Sequence, residues 1–293
     1  MNARTSPTPG DPALVRRQFG ATAAEYATSH VHAHGPSLGR LVELARPDAA
    51  WNVLDVATGA GHTALAFAPH VARVTATDIT PEMLAQADRL AGERGLSNVT
   101  VGIAAAESLP FAGGAFDLVT CRIAAHHFRR VDRFASECWR VLRPGGALAL
   151  ADNVSPDDPD AAIEADAIER FRDPSHVHCL SIGEWHEVLE RAGFTIEHQE
   201  LLDMPIELDG WARRMHVGDR DREELRRRIL GASEALRASW RPQETGGDVR
   251  FVLTEVLLVA RRGAARREPR ARRRTHAENA ECGGTPSTQA SRG

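Results

Sequence analysis

The stretch that decides the fold is residues 52–64, which read Asn-Val-Leu-Asp-Val-Ala-Thr-Gly-Ala-Gly-His-Thr-Ala. Its first half is apolar and partly β-branched, which is typical of a strand covered on both faces. Gly59 and Gly61 have no Cβ, so the backbone can turn tightly there and a ligand can lie against it. The helix predicted to follow presents free N–H groups that suit an anionic group. We therefore expect a strand, a glycine turn and a helix around a ligand.

A second predicted strand identifies the kind of ligand. Residues 73–79 (Arg-Val-Thr-Ala-Thr-Asp-Ile) place Asp78 near the end of this strand, about twenty residues after the glycine turn. A carboxylate at that point can accept hydrogen bonds from both hydroxyls of a ribose. The two strands together predict a nucleoside-cofactor site. Residues 59–64 also satisfy the G-x-G-x-x-G/A fingerprint, so the glycines alone leave both NAD and S-adenosylmethionine (SAM) open.

Three further features favour SAM. Asp55 lies inside the first strand, four residues before Gly59, where a pyrophosphate-binding strand has no use for a negative charge. The first strand begins near residue 52, behind a helical leader, whereas a dinucleotide domain often begins with its first strand. Three segments then follow at suitable intervals: 107–111 (Glu-Ser-Leu-Pro-Phe), 116–119 (Phe-Asp-Leu-Val) and 142–146 (Leu-Arg-Pro-Gly-Gly).

With these motifs in view, the sequence resembles the class I SAM-dependent methyltransferases over roughly residues 15–262. It is most similar to the ubiquinone/menaquinone C-methyltransferases and to methyltransferases of small natural products. The resemblance implies an α/β fold with a Rossmann-like, mixed seven-stranded sheet, mostly parallel with an antiparallel last strand, helices on both faces and a helical lid. It implies methyl transfer from SAM to a small-molecule acceptor such as a secondary metabolite or a quinone precursor.

The resemblance carries cofactor contacts onto matching positions. The glycine turn is expected at the methionine end, Asp78 at the ribose and Ile79 against the adenine. The family's Gly-Asp-Ala-Glu motif corresponds here to residues 104–107, where Ala105 replaces the aspartate. One hydrogen bond to the adenine amino group is therefore expected to be missing or made by a neighbour. The expected cofactor-binding residues are Tyr26, Asp55, Thr58, Gly59, Gly61, Asp78, Ile79, Ala106, Glu107 and Arg122; for Tyr26 the alternative is packing onto the core.

Candidate catalytic residues follow the fourth and fifth strands. Sugar O-methyltransferases of this superfamily place a base histidine after the fourth strand and an aspartate at the end of the next, and His126 and Asp152 match these positions. An aspartate that orients a histidine and stabilises its imidazolium makes a sound general base. The alternative is that His126 and His127 only pack at the entrance of a helix. His176, in an Arg-Asp-Pro-Ser-His loop, is a second candidate.

The order of predicted elements sets the architecture. Strands and helices alternate from residue 52 to residue 154, which predicts a parallel sheet with right-handed crossovers and a ligand at the carboxyl ends of its strands. Thr80 is expected to cap a helix, and Gly95 and Gly145-Gly146 to follow helices as C′ glycines. We expect residues 1–12 to be disordered, a methyltransferase domain over 13–262 and a disordered tail over 263–293. Lid segments are expected near 13–45, 155–180 and 205–240.

The composition excludes several chemistries. All 36 basic residues are arginine, so Schiff-base chemistry on a lysine, a P-loop lysine and the Tyr-x-x-x-Lys pair of short-chain dehydrogenases are excluded. Residues 261–274 carry a charge of +7, which leaves −11 for the remainder of a chain of net charge −4. A folded part that acidic is a poor nucleic-acid surface, and the arginine run is expected to be a solvated tail rather than a nucleic-acid arm.

Cellular location and partners follow from weaker signals. No apolar run reaches the roughly 18 residues of a membrane span, and the first twelve residues lack the apolar stretch of a signal peptide. Four scattered cysteines without a Cys-x-x-Cys pair favour reduced thiols in a cytoplasm. His30 and His34 would share a helix face, but nothing supplies a third ligand, so no metal is expected. The sequence leaves open whether the chain forms a homodimer.

Two rival functions remain at this stage. The first is a SAM-fold protein whose cofactor is structural and whose pocket promotes a non-methyl reaction such as cyclisation. The second is an NAD-dependent oxidoreductase, against which the missing lysine counts.

Overall fold

The computed structural model describes residues 10–29 and 33–263, in which helices and strands alternate as expected. The strands are β1 (Asn52–Val56), β2 (Arg73–Asp78), β3 (Val99–Ile103), β4 (Phe116–Arg122), β5 (Leu142–Asn153), β6 (Phe194–Glu207), β7 (Gln243–Thr245) and β8 (Asp248–Arg262). The helices are α1 (Pro12–Ala21), α2 (Ala23–Ala27), α3 (Pro36–Ala45), α4 (His62–Phe67), α5 (Pro81–Glu93), α6 (Val131–Val141), α7 (Pro159–Arg172), α8 (Ile182–Ala192), α9 (Leu208–Arg213), α10 (Asp219–Leu230) and α11 (Glu234–Trp240). None of the described helices is long and apolar enough to cross a membrane.

The strands form one sheet in the order β3-β2-β1-β4-β5-β8-β6. The first five strands are parallel, and β8 runs antiparallel between β5 and β6. This confirms the predicted mixed sheet with an antiparallel last strand inserted beside its neighbour. A short eighth strand, β7, was not predicted: it pairs with β8 through a hairpin at Gly246 and Gly247, both of which have positive φ.

Both faces of the sheet are buried because alternate residues of each strand point to opposite sides. Leu54, Val119 and Leu148 lie on one side and pack with Phe134 of α6 and Trp185 of α8. On the other side Val53, Val74 and Leu118 pack with helices α3 and α4, mainly with Leu41 and Phe67. The apolar runs of the sequence predicted this covering on both faces.

A separate apolar cluster joins the later helices to the ends of β6 and β8. Helices α7, α9, α10 and α11 surround Phe251, against which Trp240 stacks at 5.3 Å and Trp211 packs edge-on at 5.2 Å between ring centroids. The predicted helical stretch 209–240 is therefore three helices. Helices α1 and α2 pack on α5 through Phe19, Tyr26 and Met83.

Two boundary predictions are wrong. Gly145 and Gly146 are not C′ glycines: α6 ends at Val141 and both lie inside β5, with Gly145 at φ 79° where the register with β4 shifts. Gly10 and Asp11 were expected in a disordered segment, but the Asp11 side chain caps α1 by accepting from the Ala13 N–H at 2.9 Å. The remaining predicted disordered residues, 1–9 and 264–293, lie outside the described residues, as do His30 and His32.

Other helix ends follow the prediction. Gly95, at φ 66°, lies just after α5, and the N–H groups of Gly95 and Leu96 donate to the carbonyls of Gly92 and Ala91. This is a Schellman ending, in which the glycine takes the left-handed conformation. Thr80 is the N-cap of α5 with Pro81 at N1, but its side chain makes no cap hydrogen bond.

The close packing at Gly61 gives a stability test. Gly61 has φ 90°, and a Cβ built there lies 2.8 Å from the Cβ of Ala87 on α5. We expect Gly61→Ala to lower the free energy of unfolding by about 1–3 kcal/mol, because the new methyl group both clashes and strains the backbone. The matched control is Gly92→Ala on α5, where a Cβ meets nothing within 4 Å. We expect this substitution to raise the free energy of unfolding by about 0.5–1 kcal/mol. Urea denaturation measures both, and equal stability of Gly61→Ala and wild type would contradict the packing argument.

Candidate functional site

A cavity lies at the carboxyl ends of β1, β2 and β4, where the sequence placed its ligand. It holds about 1030 Å³ of empty space, a volume that includes its open mouth. Its walls come from the glycine turn, the ends of β2 and β4, the turn after β3 and helices α1 and α2. Of the predicted cofactor residues it is lined by Tyr26, Thr58, Gly59, Asp78, Ile79, Ala106, Glu107 and Arg122.

Asp55 lies beneath the glycine turn and does not line this cavity. Its buried carboxylate accepts hydrogen bonds from the hydroxyls of Thr58 at 2.5 Å and Thr120 at 2.6 Å and from the Ala64 N–H at 3.2 Å. Burial raises the pKa of Asp55 to about 6, against the hydrogen bonds that lower it. Asp55 therefore holds β1, β4 and α4 around the turn. A direct contact of its carboxylate with the cofactor stays a prediction.

Asp78 lines the cavity from the end of β2. Its carboxylate accepts from the Gly59 N–H at 2.9 Å and from the Thr80 N–H at 2.8 Å. Burial raises the pKa of this carboxyl group. Asp78 thus ties the glycine turn to the end of β2 and presents its carboxylate at the expected ribose position.

The turn after β3 brings its small side chains to the cavity. Ala105 lines the wall where the family's aspartate was expected, so this position supplies no carboxylate. Glu107 lies beside it, and its Oε1 accepts from the Arg130 N–H at 2.7 Å, which fixes the segment before α6. Ile79 also lines the cavity. The contact of Ile79 with the adenine stays a prediction.

Tyr26 and Arg122 also line the cavity. The Tyr26 hydroxyl donates to the sulfur of Met215 at 3.5 Å, and burial raises the pKa of Tyr26 to about 12. The Arg122 Nε donates to the Thr63 hydroxyl at 3.2 Å, and burial lowers the pKa of this guanidinium. Both side chains are held by the protein next to the expected methionine end.

A second cavity of about 660 Å³ adjoins the first. Four residues line both cavities and form the boundary between them: Phe19, Tyr26, Ile123 and His127. The second cavity also contains His126 and four charged side chains: Glu169, Arg172, Arg214 and Glu255. A mostly apolar and aromatic wall thus separates the first cavity from a more polar one.

The structure brings His126 and Asp152 together as predicted. The Nδ1 of His126 lies 2.6 Å from Asp152 Oδ1, and the His126 N–H donates to Asp152 Oδ2 at 3.1 Å. Burial lowers the pKa of His126, but the charge and hydrogen bond of Asp152 outweigh it and raise the pKa above its usual value. Burial likewise opposes ionisation of Asp152, and His126 outweighs it and lowers that pKa. The two groups therefore form a buried ion pair at the edge of the second cavity.

His127 and His176 complete a cluster of three rings. The His126 ring lies 4.2 Å from that of His127 and 5.6 Å from that of His176, between centroids. Burial and the charge of His126 hold the pKa of His127 well below its usual range, so His127 is neutral beside a charged neighbour. His176 Nε2 bonds to Asp166 at 2.8 Å, and His176 lines neither cavity. This placement favours His126 over His176 as a base, and the choice stays a prediction.

The comparisons with known proteins decide the family. A family model described as a methyltransferase domain matches residues 54–150. The YcgJ protein of Bacillus subtilis, an uncharacterised methyltransferase, is 34% identical over 242 residues, which make up 82% of this chain and 96% of the relative. The chain belongs to the class I SAM-dependent methyltransferases.

Further relatives of this methyltransferase agree in fold. The crystal structure of YcgJ matches with a TM-score of 0.76 at 33% identity and covers 79% of this chain and 100% of that one. The demethylmenaquinone methyltransferase of Thermus thermophilus is 42% identical over 113 residues, 38% of this chain and 51% of the relative. The structure of the [4+2]-cyclase SpnF, at 19% identity and a TM-score of 0.64, is alike in fold alone; it covers 89% of this chain and 100% of that one.

The residues of the first cavity suit SAM. A Cβ built on Gly59 meets no atom within 4 Å, so the backbone of the turn is open to a ligand at close range. Asp78 provides acceptors for ribose hydroxyls, and Ile79 and Ala106 provide an apolar wall for the adenine. Arg122 and Tyr26 lie at the other end, where the methionine carboxylate is expected. The fit is therefore to a nucleoside joined to a short charged chain.

Several residues of the site were missed by sequence reasoning. Thr120 donates to Asp55, and Asp166 and Asp173 lie behind the histidine cluster: Asp166 bonds His176, and the Asp173 Oδ2 is 3.8 Å from the Nε2 of His127. Arg172 and Arg214 of the second cavity were missed as well. The contacts between these acids and the histidines form only in the folded chain, so no spacing in the sequence identified the acids. The one available signal was that Asp166, Asp173, Arg172 and Arg214 lie in the expected lid segments 155–180 and 205–240.

One group of potential metal ligands is present in the described chain. Asp166, His176 and Cys179 are buried, with ligand atoms within 4.8 Å of one another. The hydrogen bonds of Asp166 to His176 and to His178 Nδ1 at 2.6 Å already account for this geometry. The expectation of no metal stays a prediction.

The ion pair of His126 and Asp152 gives a test by histidine NMR. We expect the ring of His126 to titrate above its usual pKa of about 6.5 in the wild type and below it in Asp152→Asn, because burial then acts without the opposing charge. The pair stabilises the fold between the two pKa values. Its contribution is lost as pH rises through the pKa of His126 and as pH falls through that of Asp152. An unchanged His126 titration in Asp152→Asn would refute the assignment, and the exposed Asp88→Asn is the control.

Proposed function

We propose that the chain transfers a methyl group from SAM in the first cavity to a small-molecule acceptor in the second. The observation that carries the proposal is the shared wall of Phe19, Tyr26, Ile123 and His127, across which the two cavities meet. Methyl transfer is an in-line displacement, so donor and acceptor must lie end to end with water excluded. Two adjoining cavities with a mostly apolar boundary support this arrangement.

The protein's part in the reaction is positioning and proton removal. The cofactor supplies an electrophilic methyl group on a sulfonium. The glycine turn and Asp78 would hold this cofactor in the first cavity, with its methyl group available to the acceptor atom. An acceptor hydroxyl or acidic carbon must also lose a proton. His126 lines the acceptor cavity, and Asp152 holds its Nδ1, so Nε2 is the ring nitrogen that takes this proton.

The acceptor class and the setting are part of the proposal. The local similarity to a demethylmenaquinone methyltransferase supports a quinone precursor or a related secondary metabolite as acceptor. Cys121, Cys138 and Cys179 are buried free thiols, which supports a reducing cytoplasm. We propose no nucleic-acid or membrane partner. A homodimer is proposed as well, and light scattering tests it. No described residue favours cyclisation or nicotinamide chemistry.

Cofactor identity is tested by calorimetric titration with SAM, S-adenosylhomocysteine and NADH. We expect the first two to bind and Asp78→Ala to weaken them about tenfold or more, because the ribose loses a hydrogen bond to a charged group. Asp78→Asn separates charge from shape: the Gly59 and Thr80 N–H groups donate to different oxygens of Asp78, so the amide oxygen can keep one of these two hydrogen bonds.

The control for this titration is Asp88→Ala, an exposed acid on α5 that faces neither cavity. Its affinity for SAM should equal that of the wild type. Binding of NADH without SAM would overturn the proposed cofactor. Full SAM affinity in Asp78→Ala would remove Asp78 from the site while leaving the cofactor in place.

The pH dependence tests His126 as the base. With an acceptor that must lose a proton, kcat should rise with pH and level off above the raised pKa of His126, since only the neutral imidazole accepts a proton. Asp152→Asn should move this inflection to lower pH. His126→Gln should abolish it and lower kcat by about 10²–10⁴-fold. An unchanged profile in His126→Gln would assign the proton to another group.

A further inference from the structure

Two arginines line the second cavity from the lid. Arg172 is the last residue of α7, and Arg214 follows directly after α9. The two helices pack in one apolar cluster, so these side chains reach the same cavity from elements far apart in sequence. Neither is used by the cofactor site.

The hydrogen bonding of this pair is exceptional within the described chain. Arg172 and Arg214 are the two half-buried arginines whose side chains make no hydrogen bond to protein. The other half-buried arginines donate to carboxylates, carbonyls or hydroxyls; they are Arg40, Arg122, Arg140, Arg170, Arg222, Arg226, Arg228, Arg261 and Arg262. Each of these nine guanidinium groups makes at least one hydrogen bond, although the buried Nε of Arg262 makes none. At the second cavity the fold leaves two unsatisfied.

Arg172 is fixed in position by stacking and has one long ion pair, with Glu169, as its only salt bridge among the described residues. Its Cζ lies 4.2 Å from the centroid of the Trp211 ring, so the guanidinium stacks on the indole and keeps its N–H edges free. Its Nη1 is 3.9 Å from Glu169, which is beyond hydrogen-bonding distance. Its buried Nε has no hydrogen-bond partner. Stacking on Trp211 orients the guanidinium group of Arg172, and its Nη donors make no hydrogen bond to protein.

Arg214 has no carboxylate within salt-bridge distance among the described residues. Burial lowers the pKa of this guanidinium, and the like charge of Arg172 lowers it further. An arginine remains charged under these conditions, so the charge is held in a poorly solvated site at a cost in free energy. A bound anion removes both the repulsion and the unmet hydrogen bonding.

The acids of the cavity do not fill this role. Glu169 faces Arg172 only across the long contact above. Burial raises the pKa of Glu255, which favours its neutral form, and one of its oxygens is buried without a partner. The cation that most lowers the pKa of Glu255 is Arg122 rather than either arginine of the lid pair. The cavity thus presents two guanidinium groups, rather than its acids, to an oxyanion.

We propose that Arg172 and Arg214 bind the oxyanion of an acidic acceptor, a carboxylate or a phosphate group, and so anchor the end of the molecule that is not methylated. The assignment of this anion to the acceptor rests on the proposed methyl transfer. Planar guanidinium groups match the paired oxygens of either group in a bidentate manner. Arg214, which lacks a counter-charge, contributes more than Arg172.

The test is a titration of the purified chain with sodium benzoate, benzamide and inorganic phosphate at low salt. We expect at least one anion to bind, benzamide to bind about tenfold more weakly than benzoate if the acceptor is a carboxylate, and Arg214→Gln to lose about tenfold or more in anion affinity. Binding of benzoate alone indicates a carboxylate, and binding of phosphate alone indicates a phosphorylated acceptor. Arg214→Lys keeps a point charge and should retain part of the affinity.

The matched control is Arg213→Gln, an exposed neighbour that pairs with Asp209 at 3.0 Å and lines neither cavity. It should bind anions as the wild type does. Equal anion affinity in wild type and Arg214→Gln, or an equal loss in Arg213→Gln, would overturn the site. A SAM titration on the same samples shows that each variant is folded. If SAM fails to bind while the anion still depends on Arg214, the methyl-transfer proposal fails and the anion site stands.

Discussion

The buried carboxylate of Asp55 is the constraint on which the site depends. Its oxygens need donors because an unpaired buried carboxylate is costly, and the fold supplies them from Thr58 in the turn, Thr120 on β4 and the backbone at Ala64 in α4. All three can be satisfied together only when β4 lies beside β1 and the turn doubles back over the strand. The same geometry brings the Gly59 N–H to Asp78. One acid inside a strand thus fixes the position of another at the cavity.

The charged groups in the rest of the site differ between the sheet side and the lid side of the second cavity. Histidines at the cavity edge are backed by buried aspartates, and the pair of His126 and Asp152 is ionised while His127 beside it is neutral. On the lid side two guanidinium groups lack equivalent partners. On the sheet side of the second cavity the charged groups are therefore paired, whereas on the lid side the two guanidinium groups lack hydrogen-bond partners. A ligand that reaches both sides would supply the missing partners on the lid side.

The sequence was sufficient where the physics is local. The glycine turn and the acid at the end of β2 follow from the local sequence, whereas the inserted antiparallel strand and the pairing of His126 with Asp152 were implied by the family resemblance. The sequence was insufficient where residues from distant segments meet. Arg172 and Arg214 are forty-two positions apart, and nothing in their local sequence distinguishes them from solvent-exposed arginines of the lid. Gly145 looked like the end of a helix because a positive φ serves a strand irregularity equally well. A local sequence pattern predicts the backbone conformation of a residue, but the contacts made in the folded chain decide whether that residue ends a helix or lies in a strand.

The place of β8 in the sheet has a consequence for how the chain is made. β5 and β6 are both synthesised before β8, the strand that lies between them and pairs with each over most of its length. On a ribosome, one edge of the nascent parallel sheet and the whole of β6 stay unpaired until residue 262 has emerged. Unpaired edges of this kind invite pairing with other chains. Among the described strands, β8 is thus the last to be made and the one that closes the sheet, so a nascent chain that still lacks β8 is the form most exposed to aggregation.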